Sequence, residues 1–435
     1  MDRRYARRTF WVVALSAVLS ARAGAQGIIA PGAGPINRAM AGASTAAPVD
    51  FGSSYWNPAN LSFLERQEFL LGSELIIPST HLTTNLPAGA INGVLPVQGR
   101  YGVARSDSGV IPNLATGLSF RLSPDSRTTF GLGVFGFVGG NVNFQGNSSI
   151  PILSGYQPPR SFGFGPVFAN ASFLSITPMA SYRFNDRLSV GGGPVITSGT
   201  MSLNPAFFAA GPRQPDGITP TFPSATNGRQ FWGGGFQLGL LYRAGEDWNV
   251  GFSYKSPVWQ ERWGFNAANP DLTSRRIGVQ AQLPAIYSWG VAYKGFDRSL
   301  VDVDLRYLDY GNAALFGQSV RDGGLGWKSV FALAIGGQYE LTDRVTLRAG
   351  YLFNTNPIPA PATLFNVQLP GIIQHTLSFG TSLKLTEDVT LSAAWVHGFR
   401  NSIQGDVVEE TGAFTKIDSQ IDSIVMGLNV QFGAK

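Results

Sequence analysis

Few residues in this chain could perform covalent chemistry. There is no Cys, and His occurs three times, at His81, His375 and His397. The lack of Cys excludes a thiolate nucleophile, a cysteine metal site and a disulfide framework. His375 and His397 fall in stretches that read as strands, without an evident Ser or acidic partner, so a hydrolase of the Ser–His kind is not expected. No set of His and carboxylates has metal-ligand spacing. Gly32-Ala33-Gly34 follows no strand, which removes it as a nucleotide loop. The expectation is a chain that is not an enzyme and that uses no cofactor and no metal.

Two other groups of residues carry a chemical signal. Asp302, Asp304 and Arg306 share one face of an alternating stretch, and Arg348 lies on the corresponding face two strands on. Such charges either brace an enclosed interior as a paired network, or Arg306 or Arg348 meets a ligand carboxylate. The second group is apolar. Residues 145–169 hold Ile152, Leu153, Phe162, Phe164 and Phe168, and residues 203–228 hold Leu203, Phe207, Phe208 and Phe222. Apolar side chains in long loops point to a ligand-capture groove, or to loops packed on each other.

The elements that must position these residues are strands. Val301-Asp302-Val303-Asp304-Leu305-Arg306-Tyr307 alternates without a miss, and so does Val345-Thr346-Leu347-Arg348-Ala349-Gly350-Tyr351. Period two places one apolar and one small or polar face on each strand. Strands are expected near 66–80, 112–122, 128–144, 170–184, 187–202, 229–243, 248–256, 276–294, 299–309, 328–340, 344–353, 373–385, 389–399 and 419–432. Short connections that each contain Asp alternate with long ones that hold most of the Pro. An even number of spanning strands, short turns on one side and long loops on the other define an outer-membrane barrel. Lipid offers no hydrogen bonds to the backbone, so the sheet has to close. Tyr307, Trp327, Tyr351, Trp395 and Phe399 sit at strand ends, as interfacial girdles would. The fold class is therefore all-β, a 14-stranded antiparallel transmembrane β-barrel over 66–435.

The start of the chain fits export. Arg3, Arg4, Arg7 and Arg8 precede a short apolar run from Trp11 to Leu19, and Ala23-Gly24-Ala25 supplies the small residues of a cleavage site. Residues 1–25 read as a signal peptide. They contain five Arg and one Asp, so most of the formal charge of +5 belongs to them, and no nucleic-acid partner is implied. Residues 26–65 do not alternate and are rich in Gly, Ala and Ser. They read as an N-terminal hatch plugging the lumen, or as a disordered leader.

These residues resemble a known family. Asn37-Arg38-Ala39-Met40-Ala41-Gly42-Ala43, Asp50 and Asn57-Pro58-Ala59 are similar to the start of FadL-type outer-membrane transporters of long-chain fatty acids and hydrocarbons. Leu283-Pro284-Ala285, Gly290-Val291-Ala292-Tyr293, Leu347-Arg348-Ala349-Gly350-Tyr351 and Asn356-Pro357-Ile358-Pro359 follow in the expected order. The resemblance implies a hatch held by the Asn57, Pro58, Ala59 motif and capture of ligand from outside. Release would follow a shift of the hatch, or run sideways beside a kinked third strand. Gly131, Gly133, Gly136, Gly139 and Gly140 could bend that strand, or could simply pack beside the hatch. The family's acidic–basic pair is missing from Phe365-Asn366-Val367-Gln368-Leu369-Pro370, and Phe432 stands in for the usual terminal aromatic.

The function expected is passive passage of hydrophobic compounds across the cell outer membrane. A ~16-carbon chain buried at about 0.8 kcal/mol per methylene would be held by roughly 12 kcal/mol, so release requires a gate. The expected partners are a hydrophobic small-molecule ligand, outer-membrane lipid and the barrel-assembly machinery, with the protein a monomer. The alternatives are an attachment component for secretion and, further off, a general porin.

Overall fold

The computed structural model describes residues 26–433, apart from 92, 94–95, 156–162, 210–221 and 270–271. The signal peptide read at 1–25 and the capture residue Phe162 lie outside the described residues. Fourteen antiparallel strands form the wall. They are β1 (Gln67–Leu86), β2 in two pieces (Arg100–Arg105 and Ile111–Phe120), β3 (Thr128–Phe144), β4 (Val167–Arg183) and β5 (Leu188–Asn204). Then come β6 (Phe231–Arg243), β7 (Trp248–Lys255, resumed at Val258–Gln260), β8 (Gln282–Leu283 and Ile286–Tyr293) and β9 (Ser299–Leu308). The last are β10 (Val330–Glu340), β11 (Val345–Asn354), β12 (His375–Lys384), β13 (Val389–Val408) and β14 (Ala413–Phe432). Each pairs with its neighbour, and β14 closes on β1 from Gln67↔Phe432 to Asn85↔Phe414.

The alternation is turned inside out relative to a soluble protein. On β9, Val303 and Leu305 are 39% and 46% exposed, while Asp302, Asp304 and Arg306 between them are fully buried. Leu238, Phe252, Val291, Leu347, Phe379 and Ile424 also face outward. An apolar exterior around a polar interior is stable only where the surroundings are lipid. Rings form outward clusters at two levels, Tyr254–Tyr287–Tyr307–Phe331 at one and Trp248–Tyr293–Phe296 at the other.

Several expectations need correction. Residues 276–294 are not one strand. Ser274–Val279 pairs with Trp263–Ala268 in a separate three-stranded sheet, and the wall resumes at Gln282. The last long loop, 400–418, is a continuation of β13 and β14, joined by a short turn at Glu409–Gly412. Phe168 and Leu203 are strand residues of β4 and β5 rather than loop residues. Trp327 is no girdle residue: it is buried, packs on Tyr310 and Phe316, and donates to Asn366 Oδ1 at 2.5 Å. His397 does have an acidic partner, with Nδ1 at 2.8 Å from Asp422 Oδ1 on the neighbouring strand.

Candidate functional site

The lumen is filled from below by residues 26–64, nearly all of them buried. The segment folds into a short helix α1 (Gly34–Ala39) and two 3₁₀ turns, Phe51–Tyr55 and Pro58–Phe63. Small residues let this hatch lie directly on the wall, and inward-facing glycines receive it. A Cβ on Gly239 would stand 2.0 Å from Asn57 Oδ1, and one on Gly251 would stand 2.2 Å from the Thr45 carbonyl oxygen.

Wall charges hold the hatch in place. Asp304 accepts from the Ser44 amide at 3.0 Å and from the Thr45 amide at 3.1 Å, and Asp302 accepts from Ala46 at 3.4 Å. Arg306 donates to Asp304 and to the Gly42 carbonyl, both at 2.5 Å, and its guanidinium lies 3.8 Å over the Trp56 ring. The bracing network expected from the alternation is thus made between wall and hatch. Arg348 is bonded to Gln338 and Ser382 within the wall. Both arginines expected as carboxylate contacts are therefore engaged inside the protein.

The motif Asn57-Pro58-Ala59 is a junction. Asn57 Nδ2 donates to the carbonyls of Thr45 at 2.8 Å and Leu240 at 3.0 Å, while its Oδ1 caps the second turn through the Ala59 amide at 3.0 Å. Pro58 begins that turn, where its missing N–H costs nothing. The Ala59 carbonyl accepts from Ser181 on β4 and Ser189 on β5. Asp50 caps the first turn through Ser53 and is buried against β14, with Asn429 nearby. Burial pushes its carboxyl up to about 6, against the opposing pull of Arg348 and the bonds from Asn429, Gly52 and Ser53.

Above the hatch lies a cavity of about 510 Å³. Its floor is residues Gln26–Pro31 and Arg38, and its walls come from β1–β4 and β11–β14. That volume suits a small hydrophobic ligand. The lining holds one ion pair, Arg38–Glu74 at 2.5 Å, with Asn113 donating to the second Glu74 oxygen at 3.2 Å. Neither partner was singled out in the sequence, because Glu74 interrupts an apolar strand and Arg38 lies in a segment without periodicity. Lys255 was missed as well: its ammonium sits 3.8 Å from the Tyr55 ring centroid, at the end of β7.

The cavity reaches the outer surface of the barrel. β2 and β3 pair only from Ala115↔Phe135 to Phe120↔Phe130. Past that point β3 bulges between Gly136 and Val138 and continues with β4 alone to Phe144↔Val167. Gly136 leaves room there for the Asn113 side chain, whose Oδ1 would lie 1.6 Å from a Cβ. The two strands meet again higher up, where Asn141 donates to the Ser108 carbonyl at 3.0 Å and the Asp107 amide to Asn143 at 2.8 Å. Between the two contacts the cavity is bordered by Leu114, Gly139 and Leu174, of which both leucines face outward. Of the third-strand glycines, Gly131 faces hatch residue Leu61 and Gly136 sits at the bulge.

The apolar loop residues lie on the other side of the cavity. Phe164, Phe207 and Phe222 form a ring cluster with centroids 5.2–6.0 Å apart, joined by Phe365, and Phe208 packs on Phe265. A smaller cavity of about 50 Å³ beside Leu203, Phe207 and Phe208 shares Gly140, Gln368 and Leu369 with the large one. Ile152 and Leu153 are buried beneath the loops.

The family model described as outer membrane protein transport protein (OMPP1/FadL/TodX) matches residues 14–433. The chain belongs to this family. Its members are outer-membrane transport proteins, and the barrel described above is an outer-membrane protein of this kind. Among relatives, the "47 kDa outer membrane protein" of Pasteurella multocida is 23% identical, over 86% of either chain. The "long-chain fatty acid transport protein" of Salmonella typhi is 22% identical, covering 83% of this chain and 85% of that one. The toluene transporter TodX of Pseudomonas putida shares the fold with a TM-score of 0.66 at 18% identity, over 93% of this chain and all of that one. A FadL homologue of Pseudomonas aeruginosa gives 0.69 at 17%, over 94% and 100%.

Proposed function

We propose that this barrel carries hydrophobic compounds, long-chain fatty acids or hydrocarbons, passively across the outer membrane. The ligand is captured among Phe164, Phe207, Phe208 and Phe222 and passes Leu203 and Leu369 into the lumen cavity. It leaves sideways through the gap between β2 and β3. The observation that carries the reading is the cavity's continuity from the hatch floor to outward-facing Leu114 and Leu174.

Release through the wall is favoured over ejection of the hatch. The hatch makes on the order of ten hydrogen bonds to the wall, and at about 1 kcal/mol each their loss would cost roughly 10 kcal/mol. The gap between β2 and β3 already lacks strand pairing, and widening it strains only the few bonds above it, such as Asn141 to Ser108 and Asp107 to Asn143. A floor that closes the lumen also speaks against a general porin, and a largely apolar cavity inside the barrel against a purely adhesive role. Arg306 and Arg348 are left to the wall in this proposal. The monomer is surrounded by outer-membrane lipid, and assembly machinery meets it through the β14 end near Phe432.

The test is uptake by cells that lack their own transporters of this family. Cells expressing this chain should accumulate labelled oleate or toluene several-fold faster than cells expressing an unrelated barrel. Uptake of both compounds no faster than in the control cells would refute the proposal.

A further inference from the structure

On its periplasmic side the lumen ends in arginines. Arg121 directly follows β2, Arg183 closes β4 and Arg243 closes β6. The strand alternation turns all three inward, following Ser119, Ser181 and Leu241, which are buried on the lumen side. Each is the last inward residue before its short turn, and across the intervening strand each is staggered by two residues from the next: Thr129, beside Arg121, pairs with Ser181, and Arg183 pairs with Ser189, which pairs with Leu241. Alternate strands are about 10 Å apart, a distance that two arginine side chains span together. Arg183 acts electrostatically on both Arg121 and Arg243.

These charges converge without being neutralised. Among the described residues none of the three takes part in an ion pair, although Asp186 in the turn after β4 acts on Arg243. Two of them touch the end of the hatch. Arg121 Nη2 donates to the Leu64 carbonyl at 2.8 Å, and the Arg243 guanidinium lies 3.9 Å over the Phe63 ring. Arg243 Nε is buried there without a hydrogen-bond partner. Three guanidinium forks at one end of the lumen, with a donor unused on Arg243, match the oxygens of a planar or tetrahedral anion.

We propose that Arg121, Arg183 and Arg243 form an anion site at the periplasmic mouth of the lumen, taking a carboxylate or phosphate group. The group belongs either to an acidic amphiphile of the periplasm or to a phosphate-bearing molecule there. The site is separate from the lumen cavity and does not rest on the transport reading.

The experiment uses the full chain purified in mild detergent and follows its thermal midpoint by Trp fluorescence. Inorganic phosphate and sodium decanoate are titrated separately at constant ionic strength. Arg183→Gln is the informative variant, because it removes charge while leaving the contacts of Arg121 and Arg243 with the hatch. The wild type should show a saturable upward shift that in Arg183→Gln needs at least tenfold more anion. Arg183→Lys should fall between the two, and it keeps the test valid if the Gln variant folds poorly. An Arg183-dependent shift with decanoate alone assigns the site to acidic amphiphiles, and one with phosphate assigns it to phosphate-bearing molecules. No saturable shift with either anion, or equal shifts in wild type and Arg183→Gln, would overturn the proposal.

Discussion

Replacing Asp304 by Ala is the sharpest test of how the hatch is held. In the wild type this carboxylate serves the Ser44 and Thr45 amides and the Arg306 guanidinium, and neither charged side chain is exposed. Its removal leaves Arg306 buried with the Gly42 carbonyl and the Trp56 ring as its remaining support. Breaking one side of a buried pair costs about 3–5 kcal/mol. The two orphaned amides add about 1–3 kcal/mol each where water does not reach them. An overall loosening on the order of 5 kcal/mol corresponds to roughly 10³–10⁴ in local opening. The assay is hydrogen exchange by mass spectrometry, comparing peptides over 40–50 with peptides from β10–β12 as internal reference. Hatch peptides should exchange faster by about that factor, while the barrel strands keep their protection. Adding Arg306→Met should restore part of the loss, because no uncompensated charge then remains inside. Unchanged protection in Asp304→Ala, or strictly additive losses in the double variant, would refute the argument.

Three further outcomes are expected. Asn57→Ala removes the bonds to Thr45 and Leu240 and one cap, so residues 57–63 should lose about 1–3 kcal/mol of local stability by exchange. If hatch protection and hydrophobic uptake both stay at the wild-type level, the motif does not fix the plug. Asp50, held up to about 6 by burial, favours its protonated form in the folded protein. Its contribution to hatch stability is thus complete below about pH 4 and is lost as pH rises through 6, on the order of 3 kcal/mol. Asp50→Asn should reduce the fall of the thermal midpoint between pH 4 and 7. Phe207→Ser disrupts the ring cluster with Phe164, Phe222 and Phe365, and should raise the half-saturating ligand concentration for uptake several-fold at an unchanged maximal rate.

Much of the wall was legible because lipid on one face and hatch on the other impose period two on every spanning strand. The Asp-bearing turns stood out for the same reason, since each had to reverse the chain in a few residues. Legibility stopped where the membrane stops. Beyond His397 and Asp422 the outward face of β14 turns polar, at Lys416, Asp418 and Gln420, while Ile403 and Ile417 are buried on the other side, so the apolar-outside pattern inverts although the pairing continues. Ser274–Val279 alternates like a wall strand because any half-buried ribbon does, and only its partners show that it belongs elsewhere. Trp327 has the residue type of a girdle, but its ring turns into the lumen toward Asn366. The Arg38–Glu74 pair joins residues from a non-periodic segment and an apolar strand, and no local pattern links them. The gap beside β3 was foreshadowed by its glycines, yet its position depends on where β2 stops pairing, which is a property of two strands at once.

Passage through that gap can be blocked at Gly139. A Cβ at Gly139 would meet no atom within 4 Å, so the position has open space at the border of the gap. Uptake of labelled toluene should fall at least tenfold in Gly139→Trp, with the folded barrel present in the outer membrane at wild-type amounts and hatch exchange unchanged. Wild-type uptake through a folded Gly139→Trp barrel would contradict the account and direct attention to the floor of the lumen.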